Sequence, residues 1–154
     1  MSNDAILKKW NNTDKKYPLD KCLHEHIEEQ AAQNPDKPAL LFGDKRLSFA
    51  DLNDRSNQCA RYLRELGTGP DSIVGVLMER SFEMVTALLG ILKAGGAYLP
   101  LDPTYPDERL RFMLDDAGVS IVLTQDKHKN TVGEFEGTVF SLDSEWGHLS
   151  AESG

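Results

Sequence analysis

Three potential metal ligands lie close together near the N-terminus, at Cys22, His24 and His26. If this segment is helical, Cys22 and His26 share a face because they are four residues apart, whereas His24 points elsewhere. Zinc sites need three or four convergent ligands, and the other histidines, His128 and His148, stand alone in polar segments. The pattern therefore favours a partly exposed helix start over a metal site, and we assign no metal ligand.

Two groups of glycines, Gly95-Gly96 and Gly67-Thr68-Gly69, have the composition of a phosphate-binding loop. Such a loop leads into the N-terminus of a helix, where free N–H groups and the positive end of the dipole meet the anion. Both groups instead follow predicted helices, and the chain contains no GxxxxGK[ST] or GxGxxG pattern. We therefore assign no cofactor-binding residue and expect no cofactor bound by this chain alone.

Candidates for nucleophilic or acid–base catalysis are equally weak. Cys59 lies beside Ala60 in the middle of a predicted helix, where core spacing favours burial, and no Gly-x-Ser-x-Gly elbow is present. The carboxylates considered are Glu79, Asp102, Asp115 and Asp116. Sequence spacing cannot pair them across a fold, and we interpret most of them as solvated or capping. We assign no catalytic residue.

Composition limits the class of protein. The chain has 154 residues, of which 40% are hydrophobic and 27% charged, values typical of one soluble globular domain. A net charge of −8 argues against a nucleic-acid surface, which needs clustered cations. The first residues lack the apolar stretch of a signal peptide, and no apolar run is long enough for a membrane span. Two cysteines do not form a disulfide framework, so we expect a cytoplasmic protein.

The region from residue 81 to 117 shows the clearest local structure. Apolar residues at helical spacing predict a helix over 81–94, with Ser81 as the N-cap and Gly95 closing it. A short strand is predicted over 97–101, where Pro100 indicates a strand end or an edge position. Pro106 suits the first position of a second helix, over 106–117.

The remaining elements alternate between helices and strands. A helix is predicted over 20–34 with Asp20 as a possible cap, and another runs from Ser48 to Leu66, where Gly67 closes it. The predicted strands are residues 38–43, the return strand beginning at 47, residues 72–78, residues 119–124 and residues 139–142. This order predicts an α/β fold, with a layered, largely parallel sheet, flanking helices and right-handed βαβ crossovers.

Both ends of the chain are expected to differ from this domain, which we place at 20–143. Residues 1–19 are polar with isolated apolar anchors such as Trp10 and Tyr17. They are interpreted either as an extended interdomain linker that lays aromatic side chains on a neighbouring surface, or as a disordered terminus. Residues 144–154 are polar apart from Trp146 and Leu149, and we expect them to fray.

Three segments resemble one known family. LKAGGAYLPLDPTYPDERL, residues 92–110 and here called the long motif, looks like a core motif of the adenylation domains of nonribosomal peptide synthetases. LSFADLN, residues 47–53 and here called the short motif, resembles the motif that precedes it in that family. Trp10-Asn11-Asn12-Thr13, with Tyr17-Pro18 following, resembles the linker between a condensation and an adenylation domain. Order and spacing match across about residues 10–125.

The resemblance implies a two-step ligase of the AMP-forming, acyl-adenylate superfamily. In such an enzyme, ATP and an amino acid give an aminoacyl adenylate and pyrophosphate, with Mg²⁺ present, and the acyl group then passes to the phosphopantetheine thiol of a carrier domain. Implied partners are the remainder of the adenylation domain, a condensation domain and a carrier domain. The match from Asp102 to Leu110 favours the peptide-synthetase branch over acyl-CoA synthetases.

The family's phosphate loop, substrate pocket and catalytic lysine come after the region matched by this sequence, so none of their residues is carried over. The matched part is expected to be an incomplete portion of the larger N-terminal adenylation domain, inactive in isolation. Two alternatives remain open: one half of a split adenylating enzyme, and a non-catalytic interaction module with exposed strand edges.

Overall fold

A computed structural model describes residues 3–16 and 20–147 of the chain. Its helices are α1 Asn3–Trp10, α2 Leu23–Gln33, α3 Phe49–Glu65, α4 Phe82–Ala94 and α5 Asp107–Asp116, with a 3-10 turn at Asp126–His128. Its strands are β1 Pro38–Phe42, β2 Lys45–Ser48, β3 Ile73–Leu77, β4 Ala97–Leu101, β5 Ile121–Thr124 and β6 Thr138–Ser141.

Four strands form a parallel sheet in the order β4-β3-β5-β6. Because β3 and β5 are internal, their side chains are buried on both faces, which explains their nearly uninterrupted apolar sequences. Pro100 lies in β4, an edge strand of this sheet, where its missing N–H costs no ladder hydrogen bond. The predicted α/β class, with a parallel sheet between helices, is confirmed.

Strands β1 and β2 form a separate antiparallel hairpin. Its turn consists of Gly43 and Asp44, because Phe42 pairs with Lys45. The return strand therefore begins at Lys45, two residues before its predicted start at 47. Gly43 has a φ of 58°, a left-handed conformation that glycine adopts at little cost. The hairpin packs against α3 and α4 through a small apolar cluster that includes Leu47, Leu52 and Leu89.

Helix caps follow the sequence signals closely in two cases. The Ser48 hydroxyl accepts the backbone N–H of Asp51 at 3.0 Å, and the Ser81 hydroxyl accepts that of Met84 at 3.2 Å. Gly95 ends α4 with a φ of 92°, as predicted. Pro106 was predicted as the first residue of α5 but lies at its N-cap, so the helix begins one residue later, at Asp107.

Helix α2 differs from the prediction at its start. Cys22, two residues after Asp20, occupies the N-cap, and its backbone N–H donates to the Glu25 carboxylate at 2.5 Å. Leu23, the first residue of the helix, is 63% exposed, whereas Ala31 near the other end is buried. Helix α2 therefore contacts the core through its C-terminal half.

The two ends of the chain have local structure of their own. Residues 3–10 form a helix, and Trp10 is 70% exposed among the described residues; the interdomain-linker interpretation of residues 1–19 stays a prediction. Trp146 is half-buried against the main core cluster, with the Arg55 guanidinium 5.7 Å from its ring centroid. This packing differs from the expected fraying. Tyr17, His148 and Leu149 lie outside the described residues.

Candidate functional site

The carboxyl ends of β3, β4, β5 and β6 meet at one edge of the parallel sheet. In open α/β sheets, ligands bind outside this edge, at the point where the chain switches from one side of the first strand to the other. Here β3 is followed in the chain by β4 on one side and then by β5 on the other, so the switch lies between β3 and β5.

Side chains of the protein itself bridge this switch point. The Glu79 backbone N–H donates to the Gln125 side-chain oxygen at 3.0 Å, and the Thr124 hydroxyl donates to the Leu77 carbonyl at 2.8 Å. Gln125 and Thr124 are both buried. Both hydrogen bonds tie the carboxyl end of β3 to that of β5, and the bond from Glu79 to Gln125 extends the contact beyond the two strands.

The Glu79 carboxylate, considered as a possible acid or base, lies beside an ammonium group and an imidazole ring. Its oxygens are 2.5 Å from Lys127 Nζ and 3.3 Å from His128 Nε2. The hydrogen bond and charge of Lys127, followed by His128, lower the pKa of Glu79. A carboxyl group held ionised in this way is a poor general acid at neutral pH, so the arrangement indicates an ion-pair cluster.

A second crevice lies at the ends of β3 and β4. It has a volume of about 490 Å³ and is lined by Met78, Glu79, Arg80, Met84, Pro100, Leu101, Asp102, Pro103 and Tyr105. The Asp102 carboxylate accepts the Thr104 backbone N–H at 2.9 Å and its hydroxyl at 2.8 Å. These bonds lower the pKa of Asp102, the backbone donor contributing most. Asp102 therefore shapes the turn after β4, as the capping interpretation predicted.

The remaining residues considered from the sequence do not converge. Cys22 is exposed, and the described part of the chain contains no group of three or more residues able to hold a metal ion. Cys59 is fully buried, and burial raises the pKa of its thiol to about 12, which keeps it protonated and unreactive. Asp115 and Asp116 are exposed near the end of α5.

The backbone N–H groups of Gly67, Gly69, Gly95 and Gly96 donate hydrogen bonds to other groups of the protein. Gly95 and Gly96 donate to the carbonyls of Leu92 and Ile91, at 3.1 Å in each case. Gly67 donates to Arg64 at 2.9 Å, and Gly69 to the Ser72 hydroxyl at 3.0 Å. Gly67 thus ends α3, and Gly95 and Gly96 end α4, as the sequence predicts.

The sequence did not predict one buried polar site, which is formed around Lys93. Lys93 lies in the last turn of α4, where the helix dipole favours a cation, but its side chain is only 3% exposed. Its Nζ donates to the side-chain oxygens of Asn53 at 2.6 Å and Asn57 at 2.7 Å, and lies 3.0 Å from Glu28. The missed signal is that Lys93 follows buried Thr86 and Leu89 at helical spacing, on the inward face of α4.

Lys93 connects the two conspicuous motifs of the sequence, because Asn53 ends the short motif and Lys93 is the second residue of the long one. The described residues thus use both motifs to hold three helices together. Further, the Arg64 guanidinium donates to the Lys93 carbonyl.

Residues 27–148 match a protein family described as AMP-binding enzyme. This match covers well over half of the chain. The chain belongs to the AMP-binding enzyme family.

Characterised members of the AMP-binding family that resemble the chain include very large synthetases. Bacitracin synthase 1 of Bacillus licheniformis is 48% identical over 136 residues, which cover 88% of this chain and 3% of that protein. Tyrocidine synthase 3 of Brevibacillus parabrevis is 50% identical over 120 residues, covering 78% of this chain and 2% of that protein. The chain therefore spans only a small fraction of the relatives that it matches.

Two solved structures show the same fold as this chain. The nonribosomal peptide synthetase FmoA3, in an alpha-methyl-L-serine-AMP bound form, aligns with a TM-score of 0.81 at 35% identity, covering 92% of this chain and 16% of that one. VinN aligns with a TM-score of 0.80 at 19% identity, covering 90% of this chain and 37% of that one, a similarity of fold alone. The chain matches the N-terminal part of nonribosomal peptide synthetase adenylation domains.

Proposed function

We propose that this chain is the N-terminal part of an adenylation domain that activates an amino acid for nonribosomal peptide synthesis. The complete domain would join ATP and an amino acid into an aminoacyl adenylate with release of pyrophosphate. It would then pass the aminoacyl group to the phosphopantetheine thiol of a carrier domain. The observation that carries the proposal is the alignment with FmoA3, in its alpha-methyl-L-serine-AMP bound form, over 92% of the chain at 35% identity.

Within this reaction, the described residues are proposed to act as scaffold. The N–H groups of Gly67, Gly95 and Gly96 donate to carbonyls at helix ends, which supports a structural role for these glycines. We derive no chemical step from the described residues. Their proposed role is to present the carboxyl edge of β3–β6, including the crevice beside Asp102, to the part of the domain that binds the substrates.

The proposal includes three domain partners and a cellular setting. Relatives such as tyrocidine synthase 3 are far longer than this chain, which supports condensation and carrier domains as partners beside the remainder of the adenylation domain. Cytoplasmic synthesis is consistent with the free thiols of Cys22 and Cys59, which a reducing compartment preserves. Among the described residues, no helix has the length and apolar character needed to cross a membrane.

Amino-acid-dependent exchange of pyrophosphate into ATP tests the proposal. The 154-residue polypeptide is compared with a polypeptide from the same gene that continues through the remainder of the adenylation domain. We expect exchange from the longer polypeptide with one or a few amino acids, and none from residues 1–154 alone. Robust exchange by the short polypeptide would refute the scaffold role. A longer polypeptide that folds but activates no amino acid would refute the proposed function.

Mixing the short polypeptide with the remainder as a separate chain tests the split-enzyme alternative. Exchange recovered only in the mixture, together with a complex in size-exclusion chromatography, would favour two subunits over one continuous domain.

A further inference from the structure

The hairpin of β1 and β2 has two outer edges, and neither pairs with another strand in the part of the chain that the structure describes. A two-stranded hairpin is marginal unless a helix or further strands cover it. Here Ala39 and Leu40 are partly buried against the cluster formed with α3 and α4. The helices therefore cover one face of the hairpin, and its edges remain open.

The two open edges differ in how they are protected. Strand β2 begins with Lys45 and Arg46, both exposed, whereas β1 has the uncharged sequence PALLF. Charged residues, especially lysine, are a common means of preventing an edge from pairing with another strand. On β1, Pro38 and the register irregularity before Leu40 protect only the start of the edge. Leu41 and Phe42, which are 74% and 54% exposed, carry no charge.

The register identifies which groups of β1 face outward. Phe42 and Lys45 flank the two-residue turn, and the pair that closes such a turn exchanges its hydrogen bonds. Because paired and unpaired positions alternate along an antiparallel ladder, the next pair, Leu41 and Arg46, directs its backbone N–H and C=O away from the hairpin. Leu41 thus combines outward backbone groups with the most exposed apolar side chain of the hairpin.

The position of β1 is fixed before any partner arrives. The ring of Phe42 contacts that of Phe82 edge-on, with centroids 6.4 Å apart and planes at 72°. Phe82 is the first residue of α4, so this contact holds the end of β1 against the main body of the domain. A preformed edge of this kind binds an added strand at a lower cost in conformational entropy.

We propose that the outer edge of β1 is the docking site of one further strand, supplied by the remainder of the adenylation domain. This inference rests on the proposed function. An uncharged apolar edge tends to aggregate unless it is permanently covered, which favours a strand of the same polypeptide over a transient partner. The relative FmoA3 extends far beyond the matched region, since the chain covers 16% of it, so such a domain has ample chain to provide the strand. The occupant is an extended segment that hydrogen-bonds to the Leu41 backbone.

Amide hydrogen exchange, resolved by residue, tests the docking in both polypeptides used for pyrophosphate exchange. In the longer polypeptide we expect the Leu41 amide to exchange more slowly by about tenfold or more, as is typical when an edge amide enters a ladder. The Arg46 amide, on the opposite edge, is the internal control and should change little. Equal exchange of Leu41 in both polypeptides, with amino-acid activation retained in the longer one, would overturn the docking site and leave the proposed function intact.

A charge placed at the edge provides a second measurement. Leu41→Lys should lower the thermal midpoint of the longer polypeptide and leave that of residues 1–154 nearly unchanged, because the side chain is exposed before docking. Phe112→Lys, at a 68% exposed position of α5, is the matched control. An equal effect of Leu41→Lys in both polypeptides would contradict the proposal. Protection of Leu41 in the short polypeptide that rises with protein concentration would identify a second copy as the occupant and overturn it as well.

Discussion

The Nζ of Lys93 lies 2.6 Å from the side-chain oxygen of Asn53, and this contact joins the long motif to the short motif. Asn57 and Glu28 complete the site at 2.7 and 3.0 Å, so one ammonium group connects α2, α3 and α4. A buried ammonium is tolerated when its three protons all have acceptors. This site gives the lysine in the last turn of α4 a structural role.

Replacing Lys93 tests the importance of this connection. Lys93→Met keeps the aliphatic length but leaves the part-buried oxygens of Asn53 and Asn57 without their donor, so we expect a loss of about 1–3 kcal/mol in the free energy of unfolding. Lys127→Met, which removes only the exposed pair with Glu79, should leave the unfolding midpoint nearly unchanged. Urea denaturation of both variants measures the difference. Equal midpoints would show that the Lys93 site stabilises the fold no more than the exposed pair of Lys127 and Glu79.

The contact between α3 and α4 depends on Gly90. A Cβ at this position would lie 2.6 Å from the Sγ and 2.7 Å from the Cβ of Cys59, well inside van der Waals contact. Gly90→Ala should therefore destabilise the protein by about 1–3 kcal/mol through overpacking, although alanine in a helix interior is otherwise better than glycine by about 1 kcal/mol. A net stabilisation in chemical denaturation would contradict the close packing.

Gly69→Ala serves as the control for Gly90→Ala. No atom lies within 4 Å of a Cβ added at Gly69, and its φ is not positive. We expect its unfolding midpoint to remain close to that of the unsubstituted chain.

Burial of the Cys59 thiol should make the free energy of unfolding depend on pH in the alkaline range. Its pKa rises from 9.0 to about 12 on folding, so the unfolded chain releases this proton first. Stability contributed by the neutral thiol is complete below pH 9 and is lost as the pH rises towards about 12, with a slope of at most about 1.4 kcal/mol per pH unit. Cys59→Ala should remove this component of the slope, measured by urea denaturation at alkaline pH.

The exposed thiol provides the comparison. Cys22→Ala should leave the alkaline slope unchanged, because Cys22 is solvent-exposed. If Cys59→Ala and Cys22→Ala have the same slope as the parent chain, other titrating groups account for all of the pH dependence and burial of Cys59 does not matter.

Replacing each of the two tryptophans by alanine should change the free energy of unfolding by different amounts. Trp10 is 70% exposed on α1, so Trp10→Ala should change the free energy of unfolding by less than about 0.5 kcal/mol. Trp146 packs against the core and the Arg55 guanidinium, and Trp146→Ala should cost about 1–3 kcal/mol. Denaturation followed by far-ultraviolet circular dichroism distinguishes them, and a larger loss for Trp10→Ala would show that α1 docks in solution.

Much of the architecture could be predicted because its causes are local. Ser48, Ser81 and Gly95 cap helices through bonds that span only a few residues, so sequence spacing alone predicts them. The uninterrupted apolar run of β3 likewise predicts an internal parallel strand. The predicted start of α2 was wrong because two neighbouring residues could each serve as its N-cap. The sequence favours Asp20, whereas the structure has Cys22 at that position.

The sequence by itself determined the α/β class, the order of elements and the absence of a glycine loop that leads into a helix, because periodicity, caps and turns are properties of neighbouring residues. Only the tertiary structure decided that Lys93 is buried, that Glu79 pairs with Lys127, and that Trp146 packs while Trp10 does not. These outcomes depend on contacts between residues 36 or more positions apart, such as Lys93 with Asn57. The spacing of residues along the sequence cannot predict such contacts, because they form only when distant helices and strands pack together.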